Sequence, residues 1–220
     1  RYLKITKQMM NFQGKEVEKG EILKRLMMRR AQITKKTEEK YFEFRNILEE
    51  LVRQRKEDYL LIYCQDGEQL LEAQKIVNEI GIISHKLTEK ENTVTREKLL
   101  KEFGEGGYKC LIAMNCLVEG IDVPATRTAI IMASTGNPRQ YVQRRGRVLR
   151  KFEGKTKAYI YDFIVIPPSS LSSRLISEIE RSIIRKELER VSDFLETADN
   201  KLEVINKLSN TMLDYGVYIE

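Results

Sequence analysis

The chain has 220 residues, of which 39 are lysine or arginine and 33 are aspartate or glutamate, and its formal net charge is +6. This length suits one large domain or a domain with appendages, and the apolar content of 41% suits a globular core. The near balance of acids and bases excludes a histone-like polycation, so a local basic patch for a polyanion and solvated helix faces both stay open. No apolar run reaches the length of a membrane span, and no signal peptide is visible.

Cysteine and histidine usage predicts no metal site. The three cysteines, Cys64, Cys110 and Cys116, form no C-x-x-C pair, and we expect buried free thiols and a reducing, cytoplasmic location. His85 is the single histidine and is expected to be structural. The chain begins at Arg1 without a methionine, and we expect it to be part of a longer polypeptide.

The first 56 residues are expected to form a helical segment. Residues 17–55 contain no proline and are rich in strong helix formers, and Tyr41, Phe44, Leu48 and Leu51 repeat at steps of three and four. This stripe favours a connecting helix packed on a core. A coiled-coil helix is the alternative, although the stripe is short for one.

Between residues 57 and 167 the pattern alternates between short apolar runs and helical segments. The runs are typical of strands buried on both faces, and we predict them at residues 60–64, 82–87, 110–114, 128–132 and 157–166. Asp66 and Gln69 resemble a capping box for a helix that Gly81 ends, a second helix covers residues 95–103 and stops at Gly104, and Pro138 opens a third. The alternation predicts an α/β fold, a parallel sheet sandwiched by helices.

A second boundary is expected at Pro167-Pro168-Ser169-Ser170. Residues 168–220 then form a C-terminal α-helical extension, with one helix after Ser172 and another from about Asn200 to Leu213. An αα-hairpin appended to the sheet domain is the predicted arrangement.

Two segments of the α/β region suggest a nucleotide. Residues 143–150, Q-R-R-G-R-V-L-R, place four arginines within seven residues, and clustered guanidinium groups favour an anionic partner such as phosphate. Residues 119–124, E-G-I-D-V-P, follow an apolar run and offer an acid that can hold a ribose. Both segments follow strands and can therefore reach the carboxyl edge, where ligands bind in such sheets. No G-x-x-x-x-G-K-[ST] loop occurs, so the chain carries only half of a nucleotide site.

The segment 59–166 resembles the second RecA-like domain of superfamily 2 helicases. Residues 143–150 match motif VI, 119–124 match the end of motif V, and 61–64 and 96–103 are similar to motif IV and the helix that follows it. Residues 136–141 are similar to those of the xeroderma pigmentosum group B kind of DNA repair helicase and of restriction-enzyme Res subunits. Met114 stands where many relatives carry threonine.

The resemblance implies that ATP lies between two RecA-like domains and that this chain supplies one wall. Arg147 and Arg150 match the arginine fingers on the γ-phosphate, with Gln143 alongside. Arg144 is expected to contact the nucleotide, Asp122 to accept from the ribose hydroxyl, and Gly120 to allow close backbone approach. The P-loop and the acids that hold Mg²⁺ would come mainly from the first domain. A surface basic helix and a turn aspartate are the structural alternatives for the arginines and Asp122.

The resemblance also implies a nucleic-acid track along the strand ends. The candidate contacts are Gln65, Lys86, Arg96, Asn115 and Cys116, each of which also has an ordinary surface interpretation. The implied partners are DNA, with RNA not distinguished, the N-terminal RecA-like domain of the same polypeptide, and a nuclease or modification subunit. Two other functions stay open: a nucleic-acid-binding module that has lost coupling, which Met114 motivates, and a docking module built on the terminal helices.

Overall fold

The structure is a computed structural model, and it describes residues 38–88, 90–114, 123–132, 148–166 and 178–219, together with Arg25 and Gly146. Within these ranges the helices are α1 (Glu38–Arg53), α2 (Gly67–Glu79), α3 (Thr93–Gly104), α4 (Glu178–Leu195) and α5 (Lys201–Tyr215). The strands of the same ranges are β1 (Leu60–Cys64), β2 (Ser84–Leu87), β3 (Cys110–Met114), β4 (Thr128–Ile131) and β5 (Tyr159–Asp162).

The described strands form one sheet of order β2-β3-β1-β4-β5, and every neighbouring pair is parallel. Side chains of a strand alternate between the two faces, and the strands contribute to an apolar cluster on each side. Leu60 and Ile62 of β1 face the cluster under α1 and α2, whereas Leu61 and Tyr63 face the cluster that holds Phe103 of α3. The predicted α/β sandwich is therefore confirmed.

Helix α1 packs on the sheet and on α2. Phe44 and Leu48 are fully buried and Leu51 is 1% exposed, all within the cluster that includes α2. The stripe that predicted a connecting helix against a core is confirmed for these positions. The predicted helical residues before Glu38 lie outside the described ranges, apart from Arg25, which is helical.

The predicted start of helix α2 is confirmed, with one variation in its cap. The Asp66 carboxylate accepts from the Gln69 amide over 3.0 Å, as an N-cap should. Gln69 Oε1 accepts from the backbone N–H of Gln65, one residue before the N-cap, over 2.8 Å. After the helix, Gly81 adopts a φ of 86°, the left-handed conformation that favours glycine at this position.

Three predicted boundaries differ from the structure by one to four residues. Strand β2 begins at Ser84 because the Ile82 N–H still closes the end of helix α2 on the Val77 carbonyl. Helix α3 includes Gly104, and the left-handed residue is Gly106, with a φ of 82°. Strand β5 ends at Asp162, and Ile164 packs instead against the apolar cluster of the last two helices.

Helices α4 and α5 form the predicted αα-hairpin. A third apolar cluster joins Leu188 and Val191 of α4 to Leu208 and Met212 of α5. Helix α5 begins at Lys201 and ends at Tyr215, before Gly216 with a φ of 60°. Pro167 and Ser172 lie outside the described residues, so the domain boundary near 167 stays a prediction, as does the one at 56.

Candidate nucleotide and nucleic-acid site

The carboxyl ends of the strands lie together at one edge of the sheet. Cys64 pairs with Met114, Tyr63 pairs with Ile131, and Ile131 pairs with Asp162. The segments that follow these residues therefore emerge side by side, as expected for the ligand edge of a parallel sheet.

Helices α1 and α4 contact the half of this edge that is formed by β4 and β5. Lys40 of α1 is 5% exposed, and its ammonium donates to the carbonyl of Met132, the residue after β4, over 2.9 Å. The same ammonium lies 6.0 Å from the centre of the Phe163 ring. Arg190 of α4 covers the end of β5 by contacting Asp162. The other half of the edge, formed by β1, β3 and β2 and hereafter called the open half, carries the predicted residues Gln65, Lys86 and Arg96.

In the second half, Gln65 directly follows β1. Its backbone N–H is held by Gln69, and its side-chain Oε1 is inaccessible to solvent and has no hydrogen-bond partner among the described residues. A buried amide oxygen without a partner is costly, so this side chain is placed to meet a donor.

Arg96 lies in the first turns of α3 and leans on the turn after β2. Its Nη2 donates to the Thr88 carbonyl over 3.4 Å. The turn is itself ordered, because Glu91 Oε2 accepts from the Thr88 N–H over 2.6 Å and Asn92 caps the helix by accepting from Thr95 N–H over 2.9 Å. Within the described ranges no group accepts from the buried Nε of Arg96. Thr88 therefore orients the guanidinium, and its Nε–H makes no hydrogen bond to a described residue.

Lys86 lies within β2, at the edge of the sheet. The residue is the third of the four in β2 and is exposed. Its ammonium can therefore add positive charge to the open half, and no hydrogen bond to another described residue orders it.

The end of the arginine-rich segment lies beside the turn that precedes β4. Val148 is 1% exposed and packs in the apolar cluster under α3, whereas Arg150, two residues on, is exposed. Lys155 donates to the backbone carbonyls of Val148, Arg150 and Pro124, and thereby joins the ends of the two nucleotide motifs. This end of the segment is near the amino ends of the strands and not at the carboxyl edge where the sequence predicted the segment, since Arg127, three residues after Pro124, donates its N–H to the Tyr59 carbonyl before β1.

Seven predicted site residues lie outside the described residues, and their placement stays a prediction. They are Asn115, Cys116, Gly120, Asp122, Gln143, Arg144 and Arg147. Those that the structure does place separate into two groups: Gln65, Lys86 and Arg96 belong to the β1 and β2 side of the carboxyl edge, and Arg150 lies beside the turn before β4.

Sequence reasoning missed two buried cations, Lys40 and Arg190, and the half-buried Lys155. Burial lowers the pKa of Lys155, and the nearby Arg127 adds repulsion. Nothing in the sequence marks these residues, because a lysine or arginine on an amphipathic helix or in a turn is expected in solvent. Their roles depend on carbonyls and carboxylates that only the fold brings near.

The buried cysteines agree with the prediction where they are described. Cys64 and Cys110 are free and fully buried, and burial raises the pKa of both thiols. Cys116 lies outside the described residues. Across the same described ranges no three His, Cys, Asp or Glu side chains are grouped to hold a metal ion. No described helix combines the length and apolar content needed to cross a bilayer.

A family profile described as "Helicase conserved C-terminal domain" matches residues 43–152, which is half of the chain. The chain belongs to this helicase family. The match includes most of α1 and runs through the arginine-rich segment. The resemblance to superfamily 2 helicases is thereby confirmed, and the chain carries the C-terminal domain of a superfamily 2 helicase or translocase.

Curated relatives of this helicase domain include proteins named for DNA translocation and for the UvrABC system. "DNA 3'-5' translocase XPB2" of Sulfurisphaera tokodaii is 33% identical over 104 residues, covering 47% of this chain and 23% of the relative. "UvrABC system protein B" of Kosmotoga olearia is 29% identical over 160 residues, covering 63% of this chain and 23% of the relative. The matched region thus spans about a quarter of either relative.

Solved structures show the same fold. The C-terminal domain of the DEAD-box protein Dbp5 superposes with a TM-score of 0.51 at 20% identity, covering 69% of this chain and 79% of that one. The RNA helicase Prp28 from Chaetomium thermophilum, bound to ADP, superposes with a TM-score of 0.50 at 18% identity, covering 56% of this chain and 30% of that one. The parallel sheet is therefore the RecA-like fold of helicase C-terminal domains.

Proposed function

We propose that this chain is the second motor domain of an ATP-driven DNA helicase or translocase, with Arg147 and Arg150 as arginine fingers. The observation that carries the proposal is the contrast between Val148 and Arg150. Val148 anchors the segment in the core at 1% exposure, and Arg150 is exposed at its end. A guanidinium on an anchored backbone can meet a phosphate held by another domain without a large ordering cost.

The chemistry assigned to these arginines is charge neutralisation. As the γ-phosphoryl group leaves, negative charge spreads over its oxygens, and a positioned guanidinium stabilises it. Gln143 and Arg144 would assist at the phosphates, and Asp122 with Gly120 would receive the ribose. Mg²⁺ would be held mainly by acids of the first motor domain. ATP would thus complete its site only when the two domains close.

The nucleic acid would follow the open half of the carboxyl edge. Arg96 is oriented there by Thr88, Gln65 directly follows β1 with a side-chain NH₂ that can donate to a phosphate oxygen, and Lys86 adds charge at the sheet edge. Asn115 and Cys116 would extend the same track. Contacts of these kinds recognise the backbone rather than the base sequence. The relative named as a DNA translocase supports DNA over RNA as the substrate.

The proposed motor would have two kinds of partner. The first is the N-terminal RecA-like domain of the same polypeptide, which supplies the opposite wall of the cleft. The second is a nuclease or modification subunit, and the setting would be DNA repair or restriction. The relatives named as UvrABC system protein B support repair.

The proposal is tested by measuring ATP hydrolysis of the 220-residue chain with and without the first motor domain. The chain alone should show no hydrolysis above background, because it has no P-loop. Hydrolysis should appear when the first motor domain is joined to it. Appreciable turnover by the chain alone would contradict the half-site account.

An uncoupled nucleic-acid-binding module is the second candidate, and Met114 favours it. This last residue of β3 packs against the apolar core where the family resemblance implies a threonine that can donate a hydrogen bond. Single-strand binding that persists in Arg147→Ala, together with a two-domain protein that hydrolyses no ATP, would favour this candidate.

A docking role for α4 and α5 fails if a chain cut at Pro167 keeps its protein partner.

A further inference from the structure

The ammonium of Lys155 is fully occupied by three backbone carbonyls from two different segments. It donates to Arg150 O over 3.0 Å, to Pro124 O over 3.4 Å, and also to Val148 O. A lysine ammonium has three N–H donors, so three carbonyls satisfy it completely. Within the described part of the chain its contacts are to main-chain oxygens, and no carboxylate joins them.

A glycine turn delivers this lysine. Lys155 N–H donates to the Phe152 carbonyl over 3.0 Å, which closes a four-residue turn. Gly154, the third residue of the turn, has a φ of 69°, which side chains other than glycine rarely adopt. The turn therefore returns the chain toward the segment it has just left, and Lys155 reaches back to Val148 and Arg150.

The position is electrostatically unfavourable for a lysine unless the carbonyls hold it. Burial lowers the pKa of Lys155, and the Arg127 guanidinium adds to the effect. Arg127 is itself placed over the Tyr59 ring, 4.9 Å from its centre. Carbonyls at a helix end carry partial negative charge, and a cation there is stabilised by both hydrogen bonds and the helix dipole.

The two segments that Lys155 joins are the ends of the two nucleotide motifs. Pro124 lies two residues after Asp122, and Arg150 is one of the proposed fingers. We propose that Lys155 is a positioning residue that fixes the turn at Pro124 to the end of the arginine segment at Val148 and Arg150, so that the two turns move together when ATP binds. This inference rests on the proposed function for its role in catalysis, but not for the coupling itself.

Residue-resolved hydrogen exchange on the 220-residue chain tests the coupling. The Thr126 amide reports on the Pro124 turn, because it donates to the Val123 carbonyl over 3.1 Å. Residues 148–150 report on the arginine segment, and the Lys155 amide reports on the local turn. Lys155→Met should raise exchange at Thr126 and at residues 148–150 together, by about tenfold, because both segments lose a charged donor.

Lys157→Met is the matched control. Lys157 lies two residues further on and pairs with Asp199 at the surface, where both side chains are more than half exposed. Lys157→Met should leave hydrogen exchange at Thr126 and at residues 148–150 unchanged. Should Lys155→Met not fold, Lys155→Arg keeps the cation, but a planar guanidinium cannot converge on three carbonyls, so exchange should rise at both segments to a smaller extent.

The inference is overturned if exchange rises only at residues 152–157, or if Thr126 and residues 148–150 respond independently in a folded variant.

In the two-domain protein, Lys155→Met should lower kcat about tenfold with little change in KM for ATP, as loss of a positioned group requires. If Arg150→Ala leaves turnover intact, the proposed function fails while the exchange result still decides the coupling.

Discussion

Arg190 of α4 donates from Nε to Oδ2 of Asp162, the last residue of β5, over 2.8 Å. Its Nη2 also contacts Glu187 over 2.7 Å and the Phe163 carbonyl over 3.4 Å. The guanidinium is 5% exposed, so this group of charges is buried where the hairpin meets the sheet. The contact makes the C-terminal extension part of the sheet's packing.

Arg190→Met should destabilise the chain by about 3 kcal/mol, because removing one member of a buried pair leaves the other unpaired. Methionine keeps most of the apolar volume, so the loss reports on charge and hydrogen bonding. Chemical denaturation at pH 7 measures the change in the free energy of unfolding.

The exposed ion pair between Lys157 and Asp199 provides the comparison. Lys157→Met should change stability little, since solvent screens that pair. Equal losses in the two variants would show that the Arg190 contact does not join hairpin and sheet.

The pH dependence of stability should carry a signature of Asp162. Burial raises the pKa of Asp162 from 3.8 to about 6, with Glu187 adding to the rise and Arg190 and Lys40 opposing part of it. The folded state therefore binds the proton more tightly than the unfolded state does. The stability from this group is fully present below about pH 4 and is lost as pH rises through about 6.

Asp162→Asn removes this titration. The free energy of unfolding of wild type minus that of the variant should fall by up to about 1.4 kcal/mol per pH unit between about pH 4 and 6, and level off above. Denaturation curves across this range measure it. A difference that grows with pH would mean that ionised Asp162 is the form the fold prefers.

Arg96→Ala should weaken single-stranded DNA binding without changing its sequence preference. Loss of one phosphate contact should reduce the slope of log affinity against log salt by about 0.7. Fluorescence titrations at several salt concentrations give that slope.

Lys98→Ala is the control for Arg96. Lys98 lies on the same helix with its side chain 76% exposed, and it faces Glu102 at 3.9 Å. An equal reduction of the slope in both variants would indicate a diffuse charge effect and would remove Arg96 from the track.

The alternation of strands and helices was predictable because a strand that is buried on both faces is a continuous run of apolar residues. Residues 60–64 and 110–114 read as unbroken apolar runs, and they became β1 and β3. Asp66 predicted a helix start because an N-cap carboxylate accepts from the backbone N–H three residues later, here that of Gln69. Such features depend on neighbours in sequence and need no knowledge of the fold.

The features that were not predicted are contacts between residues far apart in the sequence. Lys40 reaches Met132 across 92 positions, and Arg190 reaches Asp162 across 28. Helix α3 ends at Gly104, one residue beyond the predicted end, and the left-handed residue follows at Gly106. The fingers and the ribose acid were inferred from family resemblance and stay predictions.

ATP binding and turnover of Arg150→Ala, in a polypeptide that holds both motor domains, test the role of Arg150 as an arginine finger. The account predicts that turnover falls by roughly 10³-fold or more while ATP binding is largely spared, because the guanidinium acts on charge that develops in the transition state. Lys151→Ala, an exposed neighbour, should retain turnover. Near-normal hydrolysis by Arg150→Ala would contradict the account.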